Sequence, residues 1–325
     1  MIGVKRYKLL YIGTNRSFTW IYIIPFLLFL SVPSLTPGLL VYAISLLMYI
    51  TLAFGWNIQG GYLGDISFGH AVFFGLGAYT VALLIANDIV NWGPLNVFIG
   101  ALVAMSFAVI IGIPFLRLKG FYFAIGTLGL SNLMLLLFKN IFSPLTRGAA
   151  GIMVPPPLQY RIELFYYSIL GITFLAGLLT YIIAGSQVGL AFKAVRDNPF
   201  AASALGINVT AYRIFGFGMS AFIVGIVGGF YSYYSSYVSP DGVFAGTISF
   251  EMVVMVFLGG AGTLLGPVFG TLAFYLFREV GRTYIGQGFY ILPALLLIVV
   301  FMKMPDGIVG MLKGLGKLFK KNSVR

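Results

Sequence analysis

The sequence predicts an all-α protein that crosses a membrane many times, with about ten helices in two inverted-topology repeats. Two observations support the membrane assignment. The 325 residues are 60% hydrophobic and only 9% charged, with a mean hydropathy of +1.00, so their apolar surface exceeds what a soluble fold buries. The hydrophobic residues are also grouped into runs that short polar segments separate.

Ten apolar runs mark the predicted helices. They cover residues 18–32, 39–54, 68–86, 97–116, 121–138, 164–184, 214–237, 250–258, 268–277 and 289–302. Several are shorter than the roughly 20 residues that a straight crossing needs, so we expect them to extend into flanking glycine-rich residues or to break within the membrane. The first run follows basic residues but has no small-residue cleavage pattern after it, so we expect it to be retained. The count of ten spans requires the chain to turn at residues 259–267, because the runs at 250–258 and 268–277 would otherwise form one span.

The distribution of Lys and Arg sets the predicted orientation. With ten spans and a cytoplasmic N-terminus, 15 of the 20 basic residues fall on the cytoplasmic side, and Arg278 and Arg282 are among the five outside. Nine spans would remove most of this asymmetry. Both termini are therefore predicted to be cytoplasmic. The single transmembrane domain then comprises a cytoplasmic N-terminus (1–17), a first half (18–188), a cytoplasmic loop (189–213), a second half (214–302) and a basic cytoplasmic tail (303–325).

An internal similarity indicates the inverted repeats. GDISF at residues 64–68 opens the third span, and GTISF at residues 246–250, 182 positions later, opens the eighth. These spans run in opposite directions, which is typical of transporters that place their pathway between two inverted halves. Spans two to five would pair with spans seven to ten. A chance match between glycine-rich strings is the alternative.

The loop at residues 189–213 is polar but carries helix signals. Asn198 suits an N-cap, Pro199 the first helical position, and Gly206 the left-handed residue after the end. The helix between them is far shorter than the roughly 12 residues at which an isolated helix becomes marginally stable. Its apolar residues, including Phe200 and Leu205, predict docking in a groove of another protein. An ordinary linker is the alternative.

Polar residues in or beside the spans are candidates for a translocation pathway, because buried charge in a bilayer is costly. The candidates are Asp65, Ser67, His70, Thr127, Ser131, Asn132, Ser249 and Glu251. Helix capping by Asp65, simple packing of His70, and interhelical hydrogen bonding by Thr127 and Ser131 are the alternatives. Ser67 and Ser249 are also expected to cap exposed amide groups. Helix breaks or close packing are predicted at Gly61, Gly64, Gly69, Gly259, Gly260, Gly262, Gly266 and Pro267.

Chemistry within this chain is not expected. One histidine, no cysteine and scattered acidic residues provide neither a metal cluster nor a nucleophile–base pair. The sequence also lacks the G-x-x-x-x-G-K-[ST] loop that cradles nucleotide phosphates. We therefore predict no catalytic residue, no metal and no cofactor.

Four sequence blocks resemble the permeases of branched-chain amino-acid ABC transporters, in particular the LivM-like branch. The first is the loop sequence RDNPFAASALGIN at residues 196–208. The others are GYLGDISFGHAVFFGLGAY at 61–79, RLKGFYFAIGTL at 117–128, and YVSPD at 237–241 with LGGAGTLLGP at 258–267. The resemblance extends over residues 40–302. It departs at residues 146–151, where TRGAAG stands in place of the family's TGGxxG.

This resemblance implies a cell-membrane permease subunit that imports branched-chain or other small amino acids. It implies a second related permease, two ATP-binding subunits that hold the ATP and Mg²⁺, and an extracytoplasmic substrate-binding protein. The residues implied to couple to an ATP-binding subunit are Arg196, Asp197, Asn198, Pro199, Ala201, Ala202, Leu205, Gly206 and Ile207. A urea or amide permease of the same family and an ion-coupled secondary transporter are the alternatives.

Overall fold

The computed structural model describes residues 37–90, 92–118, 120–155, 161–285 and 307–311. The predicted spans at 18–32 and 289–302, the predicted N-terminal segment (1–17) and all of the predicted C-terminal tail except residues 307–311 lie outside these ranges. The α-helices are α1 (Leu40–Trp56), α2 (His70–Ala86), α3 (Gly93–Phe115), α4 (Phe121–Leu136), α5 (Ser143–Thr146), α6 (Ile162–Gly185), α7 (Gln187–Asp197), α8 (Pro199–Ala204), α9 (Val209–Ser235), α10 (Pro240–Val243), α11 (Gly246–Gly259) and α12 (Gly266–Ile285). Residues 307–311 are also helical.

Two of these helices end in wider, π-helical turns. Asn57–Tyr62 continues α1, and Leu137–Ile141 continues α4. Residues 63–69 then leave the helical path before α2 begins. This broken segment between α1 and α2, residues 57–69, is central to the site described below.

The described chain is an all-α polytopic membrane protein, as predicted. Six helical segments are long and apolar enough to cross a membrane: Leu40–Tyr62, Gly93–Phe115, Phe121–Ile141, Ile162–Gly185, Val209–Ser235 and Pro240–Gly259. The apolar helix His70–Ala86 is shorter. The short run at 250–258 lies within the longer segment Pro240–Gly259, and a turn separates α11 from α12, so both of these predictions are confirmed. The total of ten spans stays a prediction.

Close backbone contacts hold the core together. Helix α9 packs across α2 and α3, whereas α1 packs against α6, α11 and α12. A Cβ atom on Gly77 would lie 2.1 Å from the carbonyl oxygen of Gly225, and one on Gly228 would lie 2.0 Å from that of Phe74. Only glycine permits two helix backbones to approach so closely. Each half thus contributes a long helix that packs against helices of the other half.

One small β-pair was not predicted. Strand β1 (Ile152–Met153) pairs antiparallel with β2 (Tyr237–Val238), with Ile152 opposite Val238. Lys139 and Asp241 form an ion pair at 3.0 Å between the same regions of chain. Two-residue strands are too short to show the alternating pattern by which strands are predicted.

Candidate functional site

Helix α8 begins as the sequence predicted. The side-chain oxygen of Asn198 accepts hydrogen bonds from the main-chain nitrogens of Phe200 and Ala201, at 3.0 and 3.1 Å. Pro199 occupies the first turn of the helix, where main-chain N–H groups have no acceptor within the helix, so its lack of an N–H group costs no hydrogen bond. The N-terminal end of this six-residue helix is therefore stabilised by its own sequence.

The other end of α8 is also closed as predicted. Gly206 has a φ of +83°, which a residue with a side chain rarely adopts. Its nitrogen donates to the carbonyl oxygen of Ser203 at 2.9 Å, and the nitrogen of Ile207 donates to that of Ala202 at 3.1 Å. These two bonds form a Schellman motif.

Between these caps, α8 presents an apolar surface to solvent. Phe200 is 75% exposed and Leu205 is 81% exposed, whereas Ala202 is buried against the protein. Of the other predicted coupling residues, Asp197, Asn198, Ala201 and Gly206 are exposed, and Pro199 and Ile207 are half-buried. The helix is therefore anchored on one side, with two large apolar side chains uncovered on the other.

Helix α7, which precedes α8, was not predicted. Ser186 caps it by accepting a hydrogen bond from the nitrogen of Val188 at 3.2 Å. Its buried residues include Gly189, Phe192 and Val195, at a spacing of three. That spacing is the signal by which an amphipathic helix could have been recognised.

Arg196 of α7 contacts the broken segment, although 39% of its side chain is exposed and its Nε lies 3.6 Å from Asp197 Oδ1. Its Nη1 donates to the carbonyl oxygen of Gly61 at 2.9 Å. A Cβ atom on Gly64 would lie 2.5 Å from Arg196 Cγ, and one on Gly262 would lie 2.7 Å from Arg196 Nη1. Glycine at these positions therefore makes room for the arginine, a reason that the sequence did not suggest.

A second arginine, Arg213 of α9, pairs with Asp65. Its Nη2 lies 3.0 Å from Asp65 Oδ1, and only 18% and 14% of the two side chains are exposed. Gln59 Nε2 also donates to Asp65 Oδ2 at 3.3 Å. Burial raises the pKa of Asp65 from 3.8 to about 6, an effect that the Arg213 guanidinium opposes but does not cancel. The carboxylate thus faces an arginine and does not cap α2, which begins at His70.

The same region contains buried polar atoms without partners. Among the described residues, Gln59 Oε1 and Arg213 Nε have no hydrogen-bond partner. Both side chains contact Asp65 through their other polar atoms. The pairing around this carboxylate is therefore incomplete.

Asn57 ties the broken segment to the turn between α11 and α12. Its Nδ2 donates to the carbonyl oxygen of Thr263, and its Oδ1 accepts from the nitrogen of Gly262, both at 2.9 Å. A Cβ atom on Gly61 would lie 2.0 Å from Asn57 Oδ1. Gly61 thus allows the asparagine to reach the second half of the chain.

The start of α2 is capped from both halves. Ser67 Oγ accepts from the nitrogen of Gly69 at 3.2 Å, and Ser249 Oγ accepts from that of Ala71 at 2.7 Å. The capping predicted for the two serines is confirmed, although Ser249 caps a helix of the other half rather than its own.

His70 lies in a packed, hydrogen-bonded position. It is fully buried, its Nδ1 is 3.1 Å from Ser67 Oγ, and its Nε2 is 2.7 Å from Ser220 Oγ. Both ring nitrogens thus have partners within the chain, which is the geometry of a structural histidine.

The polar residues of α4 face two directions. Thr127 and Ser131 are buried: Thr127 Oγ1 accepts from the nitrogen of Phe68 at 3.0 Å, and Ser131 Oγ donates to the carbonyl oxygen of Phe244 at 3.4 Å. Asn132 is exposed. Interhelical hydrogen bonds therefore account for the first two residues, and Asn132 lies apart from them.

Glu251 has a basic partner that the sequence placed outside the membrane. Arg278 was predicted in an outer segment, but it lies in α12 with its Nη1 3.6 Å from Glu251 Oε2. Arg278 also donates to the hydroxyl of Tyr49, and its guanidinium carbon lies 5.0 Å from the centre of the Tyr49 ring. Helix α12 continues beyond the apolar run by which it was recognised, and the side of the membrane predicted for Arg278 stays a prediction.

The remaining predicted glycines allow close approach. A Cβ atom on Gly259 would lie 1.8 Å from the carbonyl oxygen of Gly266, one on Gly266 2.3 Å from that of Gly260, and one on Gly69 2.6 Å from a carbonyl oxygen of α4. Pro267 lies in the first turn of α12. Among the residues that the structure describes, no three His, Cys, Asp or Glu side chains form a group that could hold a metal.

Comparison with known proteins identifies the chain's relatives. Residues 38–301 match the family model for the branched-chain amino acid transport system permease component. The high-affinity branched-chain amino acid transport system permease protein LivM of Salmonella typhimurium is 25% identical over 82% of this chain and 68% of its own length. LivH of Escherichia coli is 28% identical over 81% and 91%, and a probable LivM of Methanocaldococcus jannaschii is 25% identical over 81% and 90%. No solved structure matches the chain.

Proposed function

Because this chain belongs to the branched-chain amino acid transport system permease component family, we propose that it forms the translocation pathway of an ABC importer together with a second, related permease. It is a multi-pass protein of the cell membrane and a transporter component rather than an enzyme. In this proposal, two ATP-binding subunits bind the ATP and Mg²⁺, and an extracytoplasmic protein delivers the substrate.

The observation that carries the proposal is the exposed apolar surface of α8. A six-residue helix with caps at both ends presents Phe200 and Leu205 to solvent, and it is anchored from behind by buried Ala202. Apolar side chains on a preformed short helix suit a groove of another protein. The partner that this position favours is an ATP-binding subunit, because the distribution of Lys and Arg predicts that the loop is cytoplasmic.

The proposed substrates are branched-chain or other small amino acids. The names of the LivM and LivH relatives support this class. Urea and short amides are the competing substrates, because the sequence resemblance leaves a urea or amide permease of the same family as an alternative.

An ion-coupled secondary transporter is the second candidate. The pairs Glu251–Arg278 and Asp65–Arg213 favour it, because ionisable side chains in or beside spanning helices mark ion and proton pathways in such proteins. It differs from the ABC proposal in requiring no ATPase.

Reconstitution into liposomes tests these alternatives. We expect no uptake by the chain alone, and ATP-dependent uptake of labelled leucine when the second permease, the ATP-binding subunits and the substrate-binding protein are present. Competition with valine, isoleucine, urea and acetamide then identifies the substrate class. Gradient-driven uptake by the chain alone would refute the ABC proposal, and competition by urea but not by valine would refute the amino-acid assignment.

A further inference from the structure

We propose that Arg196 and Arg213 are positioning residues that transmit movement of α8 to the broken segment between α1 and α2. The term two-arginine clamp denotes two contacts: Arg196 with the Gly61 carbonyl, and Arg213 with Asp65. The inference rests on the proposed function, because it assumes that α8 docks on an ATP-binding partner.

The two arginines of the clamp lie before and after α8 in the sequence, and both contact the broken segment. Arg196 precedes α8 by three residues, and Arg213 follows Gly206 by seven. Both arginines contact the same five-residue stretch, from Gly61 to Asp65. A displacement of α8 that carries α7 or the start of α9 with it must therefore move this stretch or break one of the two contacts.

The two contacts differ in exposure, because the Arg196 side chain is 39% exposed and also lies 3.6 Å from Asp197 Oδ1, whereas the Arg213–Asp65 pair is shielded from solvent. Asp65 and Arg213 are largely buried, with 14% and 18% of their side chains exposed. Arg196 lies in a slot formed by glycines, and Gly64 and Gly262 leave no space for a Cβ atom beside it. Exposed ion pairs contribute little, but the Arg213–Asp65 pair is largely buried and is therefore costly to break.

Incomplete pairing favours a second arrangement of the same groups. Gln59 Oε1 and Arg213 Nε are buried without partners among the described residues. Each buried polar atom without a partner raises the free energy of the present arrangement. The free-energy difference between this arrangement and a second one, in which the atom is hydrogen-bonded, is therefore smaller. The broken segment therefore has the property that a two-state element requires.

The segment connects onward to both halves of the chain. Asn57 bonds to Gly262 and Thr263 in the turn between α11 and α12. At the other end, Ser67 contacts His70 at the start of α2. Movement of the segment can thus reach helices of both halves, which is the connection that a coupled transporter needs.

The test is the amount of substrate taken up per ATP hydrolysed by the complete complex in proteoliposomes. Arg196→Met keeps the aliphatic stem in its slot but removes the hydrogen bond to Gly61, together with the exposed contact to Asp197. We expect uptake per ATP to fall about tenfold, as for the loss of one hydrogen bond from a charged donor, with assembly unchanged. Lys193→Met is the matched control, because it removes the same charge from α7 and Lys193 bonds to none of the described residues. Its uptake per ATP should equal that of wild type.

Two further variants keep the inference testable if Arg196→Met does not accumulate. Arg196→Lys retains a positive donor that can reach Gly61 and should restore most of the coupling. Asp65→Asn keeps the shape of the side chain but removes the charge that Arg213 contacts, and should lower uptake per ATP as Arg196→Met does. Wild-type coupling in both Arg196→Met and Asp65→Asn, or equal loss in Arg196→Lys and Arg196→Met, would overturn the clamp.

Failure of the clamp can be told apart from failure of the proposed function. If Leu205→Asp on the surface of α8 abolishes association with the ATP-binding subunits while the clamp variants couple normally, only the clamp is wrong. If Leu205→Asp changes neither association nor coupling, the docking role of α8 is wrong as well.

Discussion

Replacing Leu205 with alanine tests the docking surface quantitatively. The change removes about three carbon atoms, each worth about 0.8 kcal/mol on burial. Because the side chain is 81% exposed in the free chain, nearly all of that burial would occur in the complex. The expected loss is about 2 kcal/mol, or roughly 30-fold weaker binding of the ATP-binding subunit. The thermal stability of the free chain should hardly change.

The assay is titration of purified, detergent-solubilised chain with its ATP-binding subunit, with the dissociation constant measured for each variant. Leu178→Ala is the control, because Leu178 is also exposed, at 42%, but lies on the spanning helix α6. We expect it to bind as wild type does. An unchanged dissociation constant for Leu205→Ala, or an equal loss in both variants, would refute the reasoning, because the binding energy would then not come from α8.

Four other predictions follow from single contacts. Asn198→Ala removes the cap of α8, which costs about 1 kcal/mol, and should weaken ATPase-subunit binding about fivefold in the same titration. Gly228→Leu should sharply lower the melting temperature, because its Cβ atom would lie 2.0 Å from a main-chain oxygen of α2. Arg147 has a φ of +56°, so Arg147→Val should destabilise the chain by about 1 kcal/mol or more in thermal unfolding, whereas Arg147→Gly should be tolerated. The pKa of Asp65 is about 6, so lowering the cytoplasmic-side pH through 6 should protonate it, break its pair with Arg213 and reduce uptake per ATP in the wild type but not in Asp65→Asn. The pKa of this carboxyl is higher in the folded chain than its usual 3.8, so protonation of Asp65 makes the folded chain more stable as the pH falls from 6 toward 4. A loss of uptake that coincided with a fall in melting temperature would therefore contradict the assignment to Asp65.

Local signals made α8 predictable. Asn198, Pro199 and Gly206 each act on the main chain within a few residues, and the structure places all three in the roles that their chemistry predicts. The apolar runs were equally informative, because the bilayer selects helices by length and hydrophobicity alone. Features of this kind need no knowledge of what lies across the fold.

Contacts between distant residues explain what could not be predicted. The family resemblance implies that Arg196 couples to a partner protein, and its bond to Gly61, which spans 135 positions of sequence, could not be predicted. Gly64 and Gly262 were recognised as special positions, yet the reason for them, space for that arginine, depends on the same contact. A glycine in the sequence indicates that the residue at that position must be small. It does not indicate which distant residue packs against it in the folded chain.

The centre of the molecule provides an argument for the predicted repeats. Phe68 and Phe250 hold the same place in the two similar strings, and their rings stack with centres 6.3 Å apart and planes 19° apart. In a structure with twofold pseudosymmetry, a residue touches its own counterpart only close to the axis. A contact between these two phenylalanines therefore supports an axis that passes between the starts of α2 and α11. At that point the hydrogen bond from the nitrogen of Ala71 to Ser249 Oγ links the two halves directly. A shift in the start of either helix must therefore displace the start of the other helix or break this bond.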